Sequence, residues 1–375
     1  MSPKSKATAN FFVFVVGTRA QLIKVAPVIV LCEGRGLPIC LLMTGQHLET
    51  IEDLVHEFGI RTPLTRTVKA MERATVGSLL RWLPSAYLGL RKSLQKFKAE
   101  NANFDVIVHG DTLSTLLGAF AGWRVGARVV HLESGLSSGK LFDPFPEELS
   151  RRIVFRLIDV AMCPNDEAAA YMRSRHRCTV ENTKGNTILD AVAMVGAMDV
   201  LRNQRPAYLV VSLHRFQNIY DSSRLLDLVT LLEAAGSRYP IHFVLHPATR
   251  KRLVHEKLFD RLAAVSGMTL SPRLGYGDFL RLAAGAACVL TDGGSNQEEL
   301  AALGIPTIVM RKATERPDGL GGNAVMEADI SEGVRSFLLK GDFGRLLASP
   351  ITLEADGPSE RVVRSLLESN GNRLR

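Results

Sequence analysis

Ala286-Ala287-Cys288-Val289-Leu290, continued by Thr291-Asp292-Gly293-Gly294-Ser295-Asn296-Gln297-Glu298-Glu299-Leu300, is the stretch that decides the fold. The apolar run is short and does not alternate, as a parallel strand buried on both faces requires. The small residues after it make a turn, and Leu300-Ala301-Ala302-Leu303 reads as helix. Strand, turn and helix start gather backbone N–H groups and the positive end of a helix dipole around one point, which suits a phosphate. Glu298 and Glu299 would repel that phosphate, and a carboxylate there fits ribose hydroxyls better. The segment therefore reads as a site for a nucleoside diphosphate, with Gly293, Gly294 and Ser295 at the phosphate. The plainer alternative is a Gly-rich connection whose glutamates steady the first helical turn.

The same alternation runs along most of the chain. Phe11–Val16, Ile39–Thr44, Val106–His109, Val129–Glu133 and Val160–Cys163 read as strands of a first half. Tyr208–Leu213, Ile241–Leu245, Met268–Leu270, Cys288–Thr291 and Thr307–Met310 read as strands of a second. With helical stretches between them, the pattern is α/β: two Rossmann-like, doubly wound domains with a cleft between them at the carboxyl ends of both sheets. The domains are expected at 1–190 and 191–375. The first ten residues read as a flexible arm, and the helix after Pro358 is free in this scheme to pack back on the first domain.

Bulk properties agree. A length of 375 residues suits two domains, and 46% hydrophobic with 22% charged residues suits a globular chain with ample core. No apolar run is long enough to span a membrane, and the N-terminus carries no signal-peptide core, so a cytoplasmic protein is expected. Cys32, Cys40, Cys163, Cys178 and Cys288 lack metal or redox spacing and read as reduced structural thiols. The net charge of +8 sits almost wholly in Arg61–Glu100, with nine basic residues against Glu72 and Glu100. Trp82, Leu83, Tyr87, Leu88, Leu90, Leu94 and Phe97 recur there at helical spacing. Two readings stay open: a solvated basic face, or a peripheral contact through 61–98 with anionic lipid head groups or a lipid-linked sugar. No nucleic-acid motif accompanies the charge.

Polar residues gather where strands end, the functional edge of such sheets. Gly17-Thr18-Arg19 follows the first strand without a G-x-G-x-x-G pattern, so no dinucleotide cofactor is expected. Arg19 has the planar fork that suits a phosphate. Asp111, Glu133 and Glu147 come from three separate loops, and His214 and His246 from two more. Crowded carboxylates raise one another's pKa, which equips such a set for acid–base work. Each also has a plainer role: Asp111 as a helix N-cap, Glu147 pairing with Arg151 four residues on, His214 as a structural strand-end residue. No H-E-x-x-H, paired cysteines or His cluster points to a metal, and no G-x-S-x-G marks a nucleophile elbow.

Together these residues resemble a known set. Gly17-Thr18-Arg19 with Lys24 and Ala26-Pro27, Thr44-Gly45-Gln46-His47, His109-Gly110-Asp111-Thr112, His131-Leu132-Glu133-Ser134-Gly135-Leu136, Pro146-Glu147-Glu148 with Arg151-Arg152, Gly185-Asn186-Thr187, His214-Arg215, Gln297-Glu298-Glu299 and Thr314-Glu315-Arg316-Pro317 resemble the UDP-N-acetylglucosamine 2-epimerase family, non-hydrolysing type. The resemblance implies a GT-B fold and interconversion of UDP-GlcNAc and UDP-ManNAc, or a related UDP-HexNAc, for surface polysaccharide synthesis. It implies removal of the C2 proton, expulsion of UDP to leave a glycal, and re-addition. By the same resemblance Asp111, Glu133 and Glu147 are the acid–base carboxylates, and His214 with Arg19 stabilises the departing diphosphate. Glu299 holds the ribose, and Gln46, Arg73, Arg215 and His246 match a regulatory UDP-sugar site. A homodimer is implied too.

The departures are specific. Gly17-Thr18-Arg19-Ala20-Gln21-Leu22 lacks the family's Pro and Glu, and Glu133-Ser134-Gly135-Leu136-Ser137-Ser138-Gly139 lacks an arginine. His214-Arg215-Phe216-Gln217-Asn218 replaces H-R-R-E-N, and Asp292-Gly293-Gly294-Ser295 shifts the expected serine. Competing readings follow from them: a glycosyltransferase with a lipid-linked acceptor, a hydrolysing epimerase, and a UDP-sugar-binding regulator without turnover.

Overall fold

The computed structural model describes residues 10–45, 51–68, 76–100, 103–137, 139, 146–200, 208–314, 317–346, 349–352 and 356–368, without the side chains of 76–81. Gln46, Glu49 and Arg73, the loop 143–145, and Glu315-Arg316 lie outside these residues, as do 1–9. The chain divides into two units. Unit 1 is Met1–Ala191 with Leu353–Arg375, and unit 2 is Val192–Thr352.

Unit 1 is built on β1 (Phe11–Val16), β2 (Ile39–Met43), β3 (Leu64–Arg66), β4 (Phe104–His109), β5 (Arg128–Leu132), β6 (Val160–Cys163) and β7 (Thr179–Asn182). Unit 2 is built on β8 (Leu209–Ser212), β9 (Ile241–Leu245), β10 (Met268–Pro272), β11 (Cys288–Thr291), β12 (Thr307–Val309) and β13 (Ala324–Met326). The sheet orders are β3-β2-β1-β4-β5-β6-β7 and β10-β9-β8-β11-β12-β13, and every named pairing is parallel. In each sheet the order reverses between a central pair, β1/β4 and β8/β11. Connections leave that pair in opposite directions, so the loops after it diverge and make a crevice.

The central strands are apolar because helices cover both faces. Val13, Val15, Val106, Val108 and Val129 are buried on one side of the first sheet. Helix Leu113–Val125 lies close on them because it presents small residues. A Cβ at Gly118 would meet Val108 at 2.8 Å, and one at Gly122 would meet Val106 at 3.0 Å. Thr112, not Asp111, caps that helix, its Oγ1 accepting from the Thr115 N–H at 3.2 Å. The segment after Pro358 belongs to unit 1. Helix Pro358–Glu368 packs on helix Arg19–Gly34, Arg35 pairs with Glu360, and the Ser359 N–H donates to Asp190 at 2.8 Å.

The basic segment resolves into β3 and helix Val76–Glu100. Its apolar stripe is core: Trp82, Ala86, Leu90 and Leu94 are buried, and the Trp82 indole donates to the Thr44 carbonyl. Lys92, Lys96 and Lys98 line the exposed side, and Arg61 and Arg66 pair with Glu33 and Glu52. No helix among the described residues is long and apolar enough to cross a membrane. Burial pushes Cys32 and Cys163 up to about 12 and Cys40 and Cys178 up to about 11, so these cysteines stay protonated thiols.

Gly17 marks the tightest point of unit 1. A Cβ there would meet Ser114 Oγ at 1.9 Å and Thr44 Oγ1 at 2.6 Å, both in the packed ends of neighbouring elements. Gly17→Ala should therefore destabilise the fold by about 1–3 kcal/mol through overpacking. Urea unfolding reads this as a lower midpoint, and an unchanged midpoint would show that the loop can shift at no cost.

Candidate functional site

In unit 1 the ends of β1 and β4 and the start of helix Leu113–Val125 are tied by one amide. Gln21 Oε1 accepts from the Gly17 N–H at 2.9 Å, and its Nε2 donates to the His109 carbonyl at 2.7 Å and Thr115 Oγ1 at 2.8 Å. A carboxylate, the residue the family pattern has here, could accept the first bond but could not donate the other two. Gln21 is thus a buried clamp.

Glu133 stands directly after β5 with φ of 60°, a left-handed conformation unusual for a residue with a Cβ. Gly135 follows at φ 85°, where a Cβ would meet the Ala168 carbonyl at 2.4 Å. The Glu133 carboxylate accepts from Lys24 Nζ and Asn186 Nδ2 through the same oxygen, and His109 Nε2 lies 3.6 Å from it. Asp111 pairs with Arg151, which also donates to Glu148 at 2.7 Å. Each of these acids is matched by a cation, so the mutual repulsion expected of crowded carboxylates is relieved. Glu147 opens helix Glu147–Val154 and is half-buried. The fully buried partner of Arg151 and Arg152 is Glu148, which also accepts from Ser137 at 2.5 Å. Ser137 occupies the position where the family pattern has arginine.

Arg19 makes a two-pronged bond to Asp53, at 2.5 and 2.7 Å, so its fork is occupied within unit 1. Burial alone would raise the Asp53 pKa, but the hydrogen bonds and charge of Arg19 outweigh it and hold it below the usual range.

In unit 2 the organising group is Asp292, at the end of β11. Fully buried, it accepts from the backbone N–H groups of His214 at 3.0 Å and Arg215 at 2.9 Å, and from Asn218 Nδ2 at 2.8 Å. His214 Nδ1 lies 3.3 Å from the same carboxylate, with its side chain 41% exposed. Desolvation lowers the His214 pKa; Asp292 opposes this, while His246, Arg215 and Arg273 reinforce it. His246 caps helix Pro247–His255, its ring centre 5.5 Å from that of His214. Gly293 is the N-cap of helix Gly294–Leu303 and offers no side-chain acceptor to the helix's first N–H groups. Gly294 and Ser295 form the first turn and are half-buried. Glu298 and Glu299 are the fifth and sixth residues of that helix and are buried, so they do not serve as solvated first-turn residues. Gln297 donates to the Asp318 carbonyl at 2.8 Å and accepts from Thr314 at 3.1 Å.

The structure thus brings together Asp111 and Glu133 with Lys24, Asn186 and Arg151 in unit 1, and His214, Arg215 and His246 with Asp292 and the start of helix Gly294–Leu303 in unit 2. Gln46 and Arg73 fall outside the described residues. Sequence reasoning gave no role to Lys24, Asn186 or Asp292, and it set Arg151 against Glu147, where the structure pairs it with Glu148 and Asp111. The signal for Lys24, Asn186 and Asp292 was their place in the quoted motifs; the role of Asp292 stayed hidden because most of its partners are backbone N–H groups of a distant turn.

His131 supports the unit 1 cluster from below. It is fully buried, with Nε2 donating to the Gly110 carbonyl at 2.7 Å and Nδ1 3.1 Å from Ser134 Oγ. Burial, against the pull of that carbonyl, brings it down to about 4 from its ordinary 6.5. The unfolded chain therefore takes up this proton at higher pH than the folded one. Stability should fall as pH drops from about 6.5 towards 4. Urea unfolding at pH 7 and pH 5 should show that loss in the wild type and a smaller one in His131→Gln; equal losses in both would remove His131 as the cause.

Residues 31–334 match the family model for UDP-N-acetylglucosamine 2-epimerase. The UDP-N-acetylglucosamine 2-epimerase of Methanocaldococcus jannaschii is 28% identical over 371 residues, covering 94% of this chain and 97% of its own. That of Bacillus subtilis is 27% identical over 378 residues, covering 96% and 95%. The solved structure of UDP-GlcNAc 2-epimerase from Methanocaldococcus jannaschii matches at a TM-score of 0.74 and 25% identity, over 96% of this chain and 100% of that one. Two Rossmann-like units in one chain are the GT-B fold, and the family match runs from the end of the first helix past β13, taking in Asp111, Glu133, Arg151 and Asn186 of unit 1 and the whole cluster of unit 2: the chain belongs to the UDP-N-acetylglucosamine 2-epimerase family.

Proposed function

We propose that this protein is a UDP-N-acetylglucosamine 2-epimerase that interconverts UDP-GlcNAc and UDP-ManNAc by elimination and re-addition of UDP. The observation that carries the reading is a family match that takes in the carboxylates Asp111, Glu133 and Glu147 of unit 1 and the histidine and helix start of unit 2. In the reaction a carboxylate takes the C2 proton, the C2–H electron pair becomes a C1=C2 double bond, and the C1–O bond to the diphosphate breaks. UDP adds back at C1 and a proton is returned to the other face of C2. Asp111, Glu133 and Glu147 are assigned the proton transfers. His214, Arg19 and the Gly293-Gly294-Ser295 turn are assigned the diphosphate, and Glu299 the ribose. For Arg19 this assignment requires release from Asp53. Arg215 and His246, beside His214, are assigned with Gln46 and Arg73 to a regulatory UDP-sugar site.

We also infer a cytoplasmic homodimer. Helix Leu113–Val125 carries a single charge, Arg124, and exposes Phe120 and Trp123, with Tyr87 of helix Val76–Glu100 against the Phe120 ring at 5.3 Å. A surface helix apolar on its outer face as well as its inner one calls for cover, and a second copy is the occupant assigned.

Incubation with UDP-GlcNAc in deuterated water should yield UDP-ManNAc with deuterium at C2, read by proton NMR. Free N-acetylmannosamine with UDP would move the assignment to a hydrolysing enzyme, and unlabelled substrate would overturn it. Asp111→Asn and Glu133→Gln should lower kcat about 100-fold or more, while Glu299→Ala weakens UDP binding by about 1–3 kcal/mol in calorimetry. Light scattering should give twice the chain mass, shifted towards monomer by Trp123→Glu. A monomeric wild type that sediments with anionic vesicles at low salt would assign the apolar face to lipid instead.

A further inference from the structure

We propose that Lys24 is a positioning residue for Glu133, holding that carboxylate as an ionised acceptor in the geometry from which it takes the C2 proton. The inference rests on the epimerase reading and goes beyond it by naming what prepares the base. Lys24 lies one turn into helix Arg19–Gly34, is 4% exposed, and donates to Glu133 Oε2. A buried ammonium is costly in a protein interior unless it is paired, and an apolar side chain would fill the same space without that cost. Asn186 donates to the same oxygen, from the loop before helix Ile188–Met194. The other oxygen, Oε1, lies over Gly110, 4.0 Å from where a Cβ of that residue would stand. The carboxylate is therefore oriented by two donors on one oxygen, and its backbone is held at a φ of 60° that few side-chain-bearing residues adopt.

The other charged and titratable groups near Glu133 come from each neighbouring element. His109 at the end of β4 is 3.6 Å from Oε2. Asp111, in the turn after it, is neutralised by Arg151 of helix Glu147–Val154. His131 on β5 is buried and donates to Gly110. On the remaining side the lining is uncharged, with Met162, Thr183, Thr187 and Val362 around a cavity of about 10 Å³. Lys24 is thus the hydrogen-bonded cation that favours the ionised form of Glu133. When the C2–H bond breaks, the proton passes to Glu133, the electron pair forms C1=C2, and the diphosphate leaves. Lys24 keeps its proton throughout and acts only through the carboxylate.

Lys24→Met and Lys24→Arg test this. The Met variant should lose kcat about 100-fold, with KM and the UDP dissociation constant within a few-fold of wild type. The acidic limb of its kcat profile should move to higher pH. The carboxyl carbon of Glu133, followed by carbon-13 NMR without substrate, should titrate in the same direction. Lys24→Arg should return the limb towards its wild-type position. Should Lys24→Met fail to fold, Lys24→Gln carries the same comparison. A neutral variant with wild-type kcat and limb overturns the proposal, and so does one that loses UDP binding and thermal stability while the Glu133 titration stays put. A wild-type protein that leaves UDP-GlcNAc unlabelled would refute the epimerase reading alone, because the substrate-free titration still decides the pairing.

Discussion

The reversal of strand order at β1/β4 and at β8/β11 is the constraint from which the rest follows. Parallel strands need crossover helices, and right-handed crossovers put the helices of each half on opposite faces. Only at the reversal do two adjacent strands send their chains apart, leaving backbone N–H groups and side chains at the carboxyl ends uncovered. Thr18, Arg19, His109 and Asp111 are there in unit 1, and His214, Asp292 and Gly293 in unit 2. The placement of polar groups is a consequence of topology before it is a consequence of chemistry.

Once polar groups are placed in such a crevice, each has to be matched. Asp292 is matched by backbone N–H groups and Asn218, which need no opposite charge and keep the turn of His214 and Arg215 in register with β11. Glu133 is matched by Lys24 and Asn186, and Asp111 by Arg151. The same rule operates away from the site: Arg128 and Asp105, paired across β4 and β5, make two bonds at 3.0 and 2.6 Å with both side chains buried. Removing one member of such a pair would leave a buried charge uncompensated, which is the costly case. Charge matching, rather than mutual repulsion among acids, sets the electrostatics of unit 1.

How much could be read beforehand depended on what kind of signal each element carries. The central strands were legible because burial on both faces leaves unbroken apolar runs such as Phe11–Val16 and Cys288–Thr291. The edge strands β3, β7 and β13 were not, since each has three or four residues and β3 and β7 mix in polar ones, Thr65 and Arg66 or Glu181 and Asn182. Pattern also misplaced two ends. Glu133 reads as the last strand residue but stands beyond β5, turned by its positive φ, and Asp111 reads as a helix cap while Thr112 performs that role. The helix start after β11 was legible from its glycines, and the burial of Glu298 and Glu299 was not, because their position relative to the first turn depends on where the helix begins.

The departures from the family pattern separate into two kinds once their contacts are known. Gln21 and Ser137 are internal adjustments. The amide at 21 serves three partners, two of which a carboxylate could not, and the hydroxyl at 137 gives Glu148 a further donor beside Arg151 and Arg152. Neither introduces an unmatched charge, so both are compatible with an intact acid–base cluster. Phe216 is different. It stands exposed at the start of the short helix Phe216–Ile219, its ring stacked on Tyr220 at 4.7 Å beside a cavity of about 700 Å³ that Arg311 and Lys312 also line. The backbone beneath it stays fixed, because Asn218 donates to both Asp292 and the Met310 carbonyl. A change of charge and size at 216 can therefore alter what approaches the outside of that turn while leaving the anchoring of His214 as it is, and this is how a divergent member can keep its scaffold and its chemistry apart from its surface.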